Sequence, residues 1–204
     1  MRVLIVSEGK HEIGSLGQVS ALEILVSRLL GRKPEFERRK VSDPEVHAHR
    51  QPGIHDGYEK RALAWMRFAE RMGYCAIVLL VDEDEQKHRR LELDKAQDNA
   101  KIEVRRALGI AVRTFDAWFL ADEKALSTVL CRIIPCQRNP EKFSEPKEQC
   151  RKLLDGSPAV ELSTAEFYAQ VARHVDLEVL ETRCEKGFQT FAYRVRALAN
   201  SFCT

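Results

Sequence analysis

The sequence contains no Walker-type phosphate loop, no GxSxG nucleophile elbow and no GxGxxG dinucleotide turn. Those absences speak against a nucleotide-driven motor, an α/β-hydrolase and a dinucleotide enzyme. No apolar run approaches the roughly 20 residues that cross a bilayer. The six cysteines, at 75, 131, 136, 150, 184 and 203, form no CxxC pair and follow no regular spacing. Cys75 opens an apolar run and reads as a small core residue. The first residues pass straight into an apolar run without a charged-then-apolar leader, so the expectation is a cytoplasmic protein with reduced thiols. Charge of either sign is scarcely in excess: 33 Lys and Arg face 31 Asp and Glu, a formal +2. That balance neither demands nor forbids a nucleic-acid partner. Residues 28–40 are locally basic (Arg28, Arg32, Lys33, Arg38, Arg39 and Lys40 against Glu35 and Glu37) and read as a solvated face. Internal repeats and low-complexity segments are lacking too.

What remains is an ordinary globular mixture, 44% hydrophobic and 31% charged over 204 residues, with ample material for a core. "RVLIVS" is a short β-branched run without alternation and predicts a buried strand. Apolar residues at helical spacing, Leu22, Leu25, Val26, Leu29 and Leu30, follow it, with Gly31 as a stop. "EFERRKVS" suggests a second, more exposed strand. Residues 43–57, with two prolines, two glycines and three histidines, read as a loop, and 58–72 as a helix. "CAIVLLVDEDE" predicts the second strong strand, and a charged helix is expected over about 91–107. "GIAVRTFDAWFLAD" predicts a third strand through about Phe115, turning into a short apolar helix. Beyond residue 130 strand signals vanish, prolines punctuate the chain, and helical patterns return at 163–173 and 186–200. The expected architecture is α/β: a parallel sheet flanked by helices over residues 1–128 and a mainly helical C-terminal region over 129–204.

In an open parallel sheet, ligands bind beyond the carboxyl ends of the strands. Each apolar run ends there in acids. Glu8 follows the first, with Glu12 one helical turn on. Asp82 ends the second, with Asp84 two positions later and on the same side if the chain stays extended. Thr114 and Asp116 close the third. Crowded carboxylates repel unless a cation joins them. Mg²⁺ or Mn²⁺ takes such oxygen ligands, and two ions roughly 3.5–4 Å apart serve in-line phosphoryl displacement. Glu8, Glu12, Asp82 and Asp84 are therefore candidate metal ligands, with Asp116 assisting a second ion and Glu8 alternatively a general base. Lys10, Arg89 and Arg90 are candidates for contacts to substrate phosphate. His47, His49 and His55 have no partner at metal-site spacing and read as polar loop residues. Trp118, Phe119 and Leu120 read as helix-to-sheet packing, and Asp122 as the cap of a helix starting near Glu123.

The Glu8-Gly9 pair after the first strand and Asp82-Glu83-Asp84 after a later one resemble the Toprim domain of topoisomerases, bacterial primases and overcoming-lysogenization-defect nucleases. Glu12 and Thr114-Phe115-Asp116 match the nuclease-type members best, although Gln86 stands where some members carry a further acid. Over its whole length the chain is similar to small stand-alone Toprim-like proteins of the DUF4276 type, on "FDAWFLAD" and "CEKGFQTFAYRVRAL". The resemblance implies a Rossmann-like Toprim sheet and a Mg²⁺- or Mn²⁺-dependent nuclease acting on DNA or RNA. It also implies a prokaryotic anti-phage setting and an ATPase partner of the ABC or structural-maintenance (SMC) type; a homo-oligomer is also considered. The alternative is a non-catalytic interaction subunit of such an ATPase. A receiver-like phosphotransfer module suits the acid pattern poorly.

Overall fold

β1 (Arg2–Ser7) is buried from Val3 onward, and its side chains alternate between two separate apolar layers. It leads to α1 (Ala21–Leu30), β2 (Glu35–Lys40), α2 (Tyr58–Arg71), β3 (Ala76–Asp82), α3 (His88–Gln97) and β4 (Arg105–Ala111). The computed structural model describes residues 1–9, 14, 20–49, 57–155 and 162–200. The four strands form one parallel sheet in the order β2-β1-β3-β4. β1 and β3 lie inside it, covered on both faces, which is why both read as unbroken apolar runs.

Leu4, Val6, Ile77, Leu79, Val81, Leu108 and Ile110 face α2 and α3. Val3, Ile5, Ala76, Val78, Leu80 and Ala107 face the opposite layer. That layer holds α1 and the helices after the sheet: α4 (Asp116–Phe119), α5 (Glu123–Leu130), α6 (Pro146–Asp155), α7 (Thr164–His174), α8 (Leu177–Arg183) and α9 (Thr190–Asn200). A π-helical turn, Glu185–Gln189, precedes α9. Among the described residues, those beyond 128 add helices and no strand. Their apolar faces join the core of α1, with the Trp118 ring meeting Phe188 edge-on and Phe191 at a tilt beneath β4. Gly109 makes room for them: a Cβ there would lie 2.5 Å from Phe191 Cδ2.

Local chemistry fixes the ends of α1. The Ser20 side chain accepts from Glu23 N at 2.9 Å, and Gly31, at φ 66°, closes the helix in the left-handed region. The basic stretch is not merely solvated. Arg38 grips Glu23 through two bonds (2.5 and 2.8 Å), tying β2 to α1, and Glu37 pairs with Arg2 and Arg39. On the far edge, the Gln97 side chain mimics a strand: its Nε2 donates to Arg106 O (3.2 Å) and its Oε1 accepts from Leu108 N (2.9 Å). Arg194 Nη1 donates to Leu108 O at 2.7 Å from α9.

Four local expectations are corrected. The charged helix spans 88–97 rather than 91–107, because the Arg106 guanidinium ends it by donating to Gln97 O, Asn99 O and Ile102 O at 2.6–2.7 Å. The third strand stops at Ala111, not near Phe115: Arg113, at φ 63°, breaks the extended backbone, and Asp116 opens α4. The segment after Asp82 is not extended either, since Asp84 and Glu85 adopt φ of 44° and 63°. Cys75 is exposed, one residue before β3. All the described cysteines are free thiols, and no helix among the described residues is long and apolar enough to cross a membrane.

Candidate active site

Parallel pairing of β1, β3 and β4 brings three strand ends to one edge, and Ser7, Leu80 and Asp82 are fixed there by register with their neighbours. Glu8 leaves β1 and bends over the end of β3, where its Oε2 accepts from Asp82 N at 3.1 Å. Its Oε1 accepts from the Tyr58 hydroxyl at the start of α2. Burial, then that bond and the Glu8 charge, push the Tyr58 phenol well above its ordinary value, so it remains a donor.

Asp82 turns its Oδ1 to Phe115 N at 2.8 Å. Its carboxyl is nevertheless pushed up to about 7. Burial is the main cause, and the charges of Asp116, Asp84 and Glu8 add to it against the Phe115 bond. Three other acids thus act on Asp82 electrostatically. Asp116 is 8% exposed; its Oδ1 accepts from the Tyr168 hydroxyl of α7, and its carbonyl from Cys150 Sγ at 3.5 Å. Burial, with Cys150 and Asp116 nearby, raises the Tyr168 phenol strongly. The Thr114 hydroxyl, between the β4 end and Phe115, is buried without a hydrogen-bond partner among the described residues.

A cation is already present among these acids. Arg89, 6% exposed, sends Nη1 to Asp82 O (2.5 Å), to Asp84 Oδ2 (3.0 Å) and toward Glu8 Oε2 (3.5 Å). Its Nε donates to Gln86 Oε1 at 3.2 Å, and its guanidinium lies 4.5 Å from the Tyr58 ring centre. The left-handed turn at Asp84 and Glu85 swings Asp84 onto this guanidinium. Arg89 therefore sits within the cluster rather than at its rim. Arg90 is half-buried, with Nη2 4.0 Å from Glu83 Oε1.

The structure thus gathers Glu8, Asp82, Asp84, Asp116 and Arg89. Glu12 and Lys10 lie outside the described residues, as does His55. His49 packs edge-on against Phe68 of α2 and meets Arg71. Asp122 is structural: it caps α5 through Lys124 N and Ala125 N, and its Oδ2 accepts from Asp176 N at 2.8 Å. Sequence reasoning missed Tyr58 and Tyr168. The one available signal was that a tyrosine on the apolar stripe of a helix needs a partner for its hydroxyl.

For a hard divalent cation, the chemistry of the donor set fits: several carboxylates, one of them short of counter-charge, and an unpartnered hydroxyl. The arrangement of donors is incomplete, for among the described residues no three His, Cys, Asp or Glu side chains are assembled to hold a metal.

A model of the family described as Domain of unknown function (DUF4276) matches residues 17–196. The chain belongs to this family. The DUF4276 match takes in Tyr58, Asp82, Asp84, Arg89, Asp116 and Tyr168, while Glu8 and Glu12 precede it. No curated protein and no solved structure gives a significant match.

Proposed function

We propose that this protein is a Toprim-type, Mg²⁺- or Mn²⁺-dependent phosphodiesterase acting on nucleic acid. One observation carries the reading: at the end of an interior strand, Asp82 gathers with Asp116, Asp84 and Glu8 at one sheet edge, and burial, with the charges of those three acids added to it, pushes its carboxyl up to about 7. Such an edge gains from a cation and is otherwise a source of repulsion. Glu8, Asp82 and Asp84 would hold the metal together with Glu12, which lies outside the described residues, and Asp116 would assist a second ion. When bound, a divalent ion supplies charge neutralisation for the phosphoryl oxygens and activates water. The chain's own residues orient the acids: Tyr58 fixes Glu8, Phe115 N fixes Asp82, and Tyr168 fixes Asp116. The resemblance on Glu8-Gly9 and Asp82-Glu83-Asp84 supports a nuclease working in a prokaryotic defence system with an ABC- or SMC-type ATPase.

A second reading, a non-catalytic subunit of such an ATPase complex, draws on a specific observation. Arg89 already neutralises Glu8 and Asp84, and a metal cluster is not assembled among the described residues. The deciding experiment incubates the purified chain with end-labelled DNA and RNA, with and without Mn²⁺, beside any ATPase encoded next to it. Mn²⁺-dependent cleavage lost in Asp82→Ala supports the phosphodiesterase. Absence of cleavage, together with unshifted melting in Mn²⁺, establishes the subunit reading instead.

A further inference from the structure

A cleft of about 350 Å³ opens where the 138–142 segment faces the end of α8 and the π-helical turn. Four cations line it: Arg138, Lys142, Arg183 and Lys186. Arg183 is committed, with Nη1 bound to Ala121 O (2.6 Å) and to Glu123. The other three are exposed, and their side chains make no hydrogen bond or ion pair among the described residues. The acids on the lining cancel them only in part. Glu141 accepts from Gly187 N (2.8 Å) and Lys186 N (3.2 Å) and acts electrostatically on Lys186, so Glu141 and Glu185 together face three cations, and positive charge is left in excess.

The place of this cleft matters as much as its charge. Val112 lines it, and Val112 follows Ala111, the register partner of Asp82. The basic cleft therefore begins one residue beyond the β4 end that flanks the acid cluster. An acid-rich edge repels a polyanion, so a strand positioned there needs cations alongside it. Unpaired Lys and Arg on two facing segments supply contacts of the kind that hold phosphates without reading sequence.

We propose that this cleft is a phosphate-backbone subsite, which binds a nucleic-acid strand and leads it toward the acid cluster. The inference rests on the phosphodiesterase reading for its choice of ligand and deepens it. Its cations take the phosphate backbone, which DNA and RNA share, so the subsite serves both.

The test uses the full chain in EDTA, with fluorescein-labelled single-stranded DNA and RNA oligonucleotides followed by anisotropy across a salt series. A variant combining Arg138→Gln, Lys142→Gln and Lys186→Gln is compared with a control of equal charge change, Lys33→Gln, Lys95→Gln and Lys101→Gln, all exposed elsewhere. Each phosphate neutralised on a single strand contributes about 0.7 to the slope of log affinity against log salt, so the cleft variant should bind more weakly with a slope shallower by about 2. The control should keep the wild-type slope, and circular dichroism melting should be the same for all three. Equal losses in the cleft and control variants, or an unchanged slope in the cleft variant, overturn the subsite. Inorganic phosphate that displaces the strand at the strand's own phosphate concentration would assign the cleft to free phosphate and overturn it too. Strand binding through the cleft by a chain that cleaves nothing in Mn²⁺ leaves the subsite standing and sinks the phosphodiesterase. Cleavage with wild-type KM by the cleft variant does the reverse.

Discussion

Replacing Asp82 by Asn should stabilise the metal-free protein at alkaline pH, although it alters the acid at the centre of the cluster. The amide keeps an acceptor for Phe115 N and removes one charge from among Asp116, Asp84 and Glu8. In the wild type the Asp82 carboxyl titrates near 7 when folded, well above an ordinary aspartate, because burial and its acidic neighbours penalise the charged form. Between pH of about 4 and 7 the folded state thus binds more protons than the unfolded one, so stability falls as pH rises through that window. At about 1.4 kcal/mol per pH unit the ceiling is about 4 kcal/mol. Asp82 is mostly but not wholly buried, and water screens part of the repulsion, so a difference of about 1–3 kcal/mol is expected. Urea unfolding in EDTA from pH 4 to pH 8 measures it. The two proteins should be equally stable near pH 4 and diverge in favour of Asn up to pH 8. Parallel curves, or an Asn variant weaker at pH 8, would refute the electrostatic account of this edge.

Arg89→Met should destabilise the metal-free protein by about 1–3 kcal/mol, because it leaves the partly exposed Glu8 and Asp84 without their cation; if a divalent ion takes that place, Mn²⁺ restores most of the loss in a melting experiment. Gly109→Ala should cost about 1–3 kcal/mol in urea unfolding, since its Cβ meets the fully buried Phe191 ring at 2.5 Å and Leu80 Cδ1 at 3.2 Å. Ser163→Ala removes the hydroxyl that accepts from Glu166 N, while the backbone N–H of residue 163 can still donate to the Glu166 carboxylate, and should lower stability by about 1 kcal/mol, read from the melting temperature.

The interior strands and the acids that follow them were legible because burial on both faces forces an unbroken apolar run, and the run's end is visible as a change in chemistry. The stop of α1 at Gly31 was legible for a similarly local reason. The boundary between α3 and β4 was not, because its cause is Arg106, a residue beyond the helix that reaches back to three carbonyls. Arg89 read as a phosphate contact because its sequence neighbours are polar; only the turn through left-handed Asp84 and Glu85 carries it inward among the acids. Tyr58 and Tyr168 are bonded to Glu8, 50 positions away, and to Asp116, 52 positions away. Helical periodicity alone assigns both tyrosines to the core and cannot name such partners.

The Gln97 side chain that bonds both Arg106 O and Leu108 N has a meaning for assembly. A parallel sheet ordinarily offers unpaired amides at its outer strands, an invitation to strand addition and to aggregation. Here a single glutamine amide and the Arg194 guanidinium occupy the β4 margin around Leu108. The opposite margin is the charged segment EFERRK, whose Arg38 is clamped to α1. Charge on one flank and side-chain bonds on the other disfavour strand addition there, which turns any association of this chain toward its helices and loops.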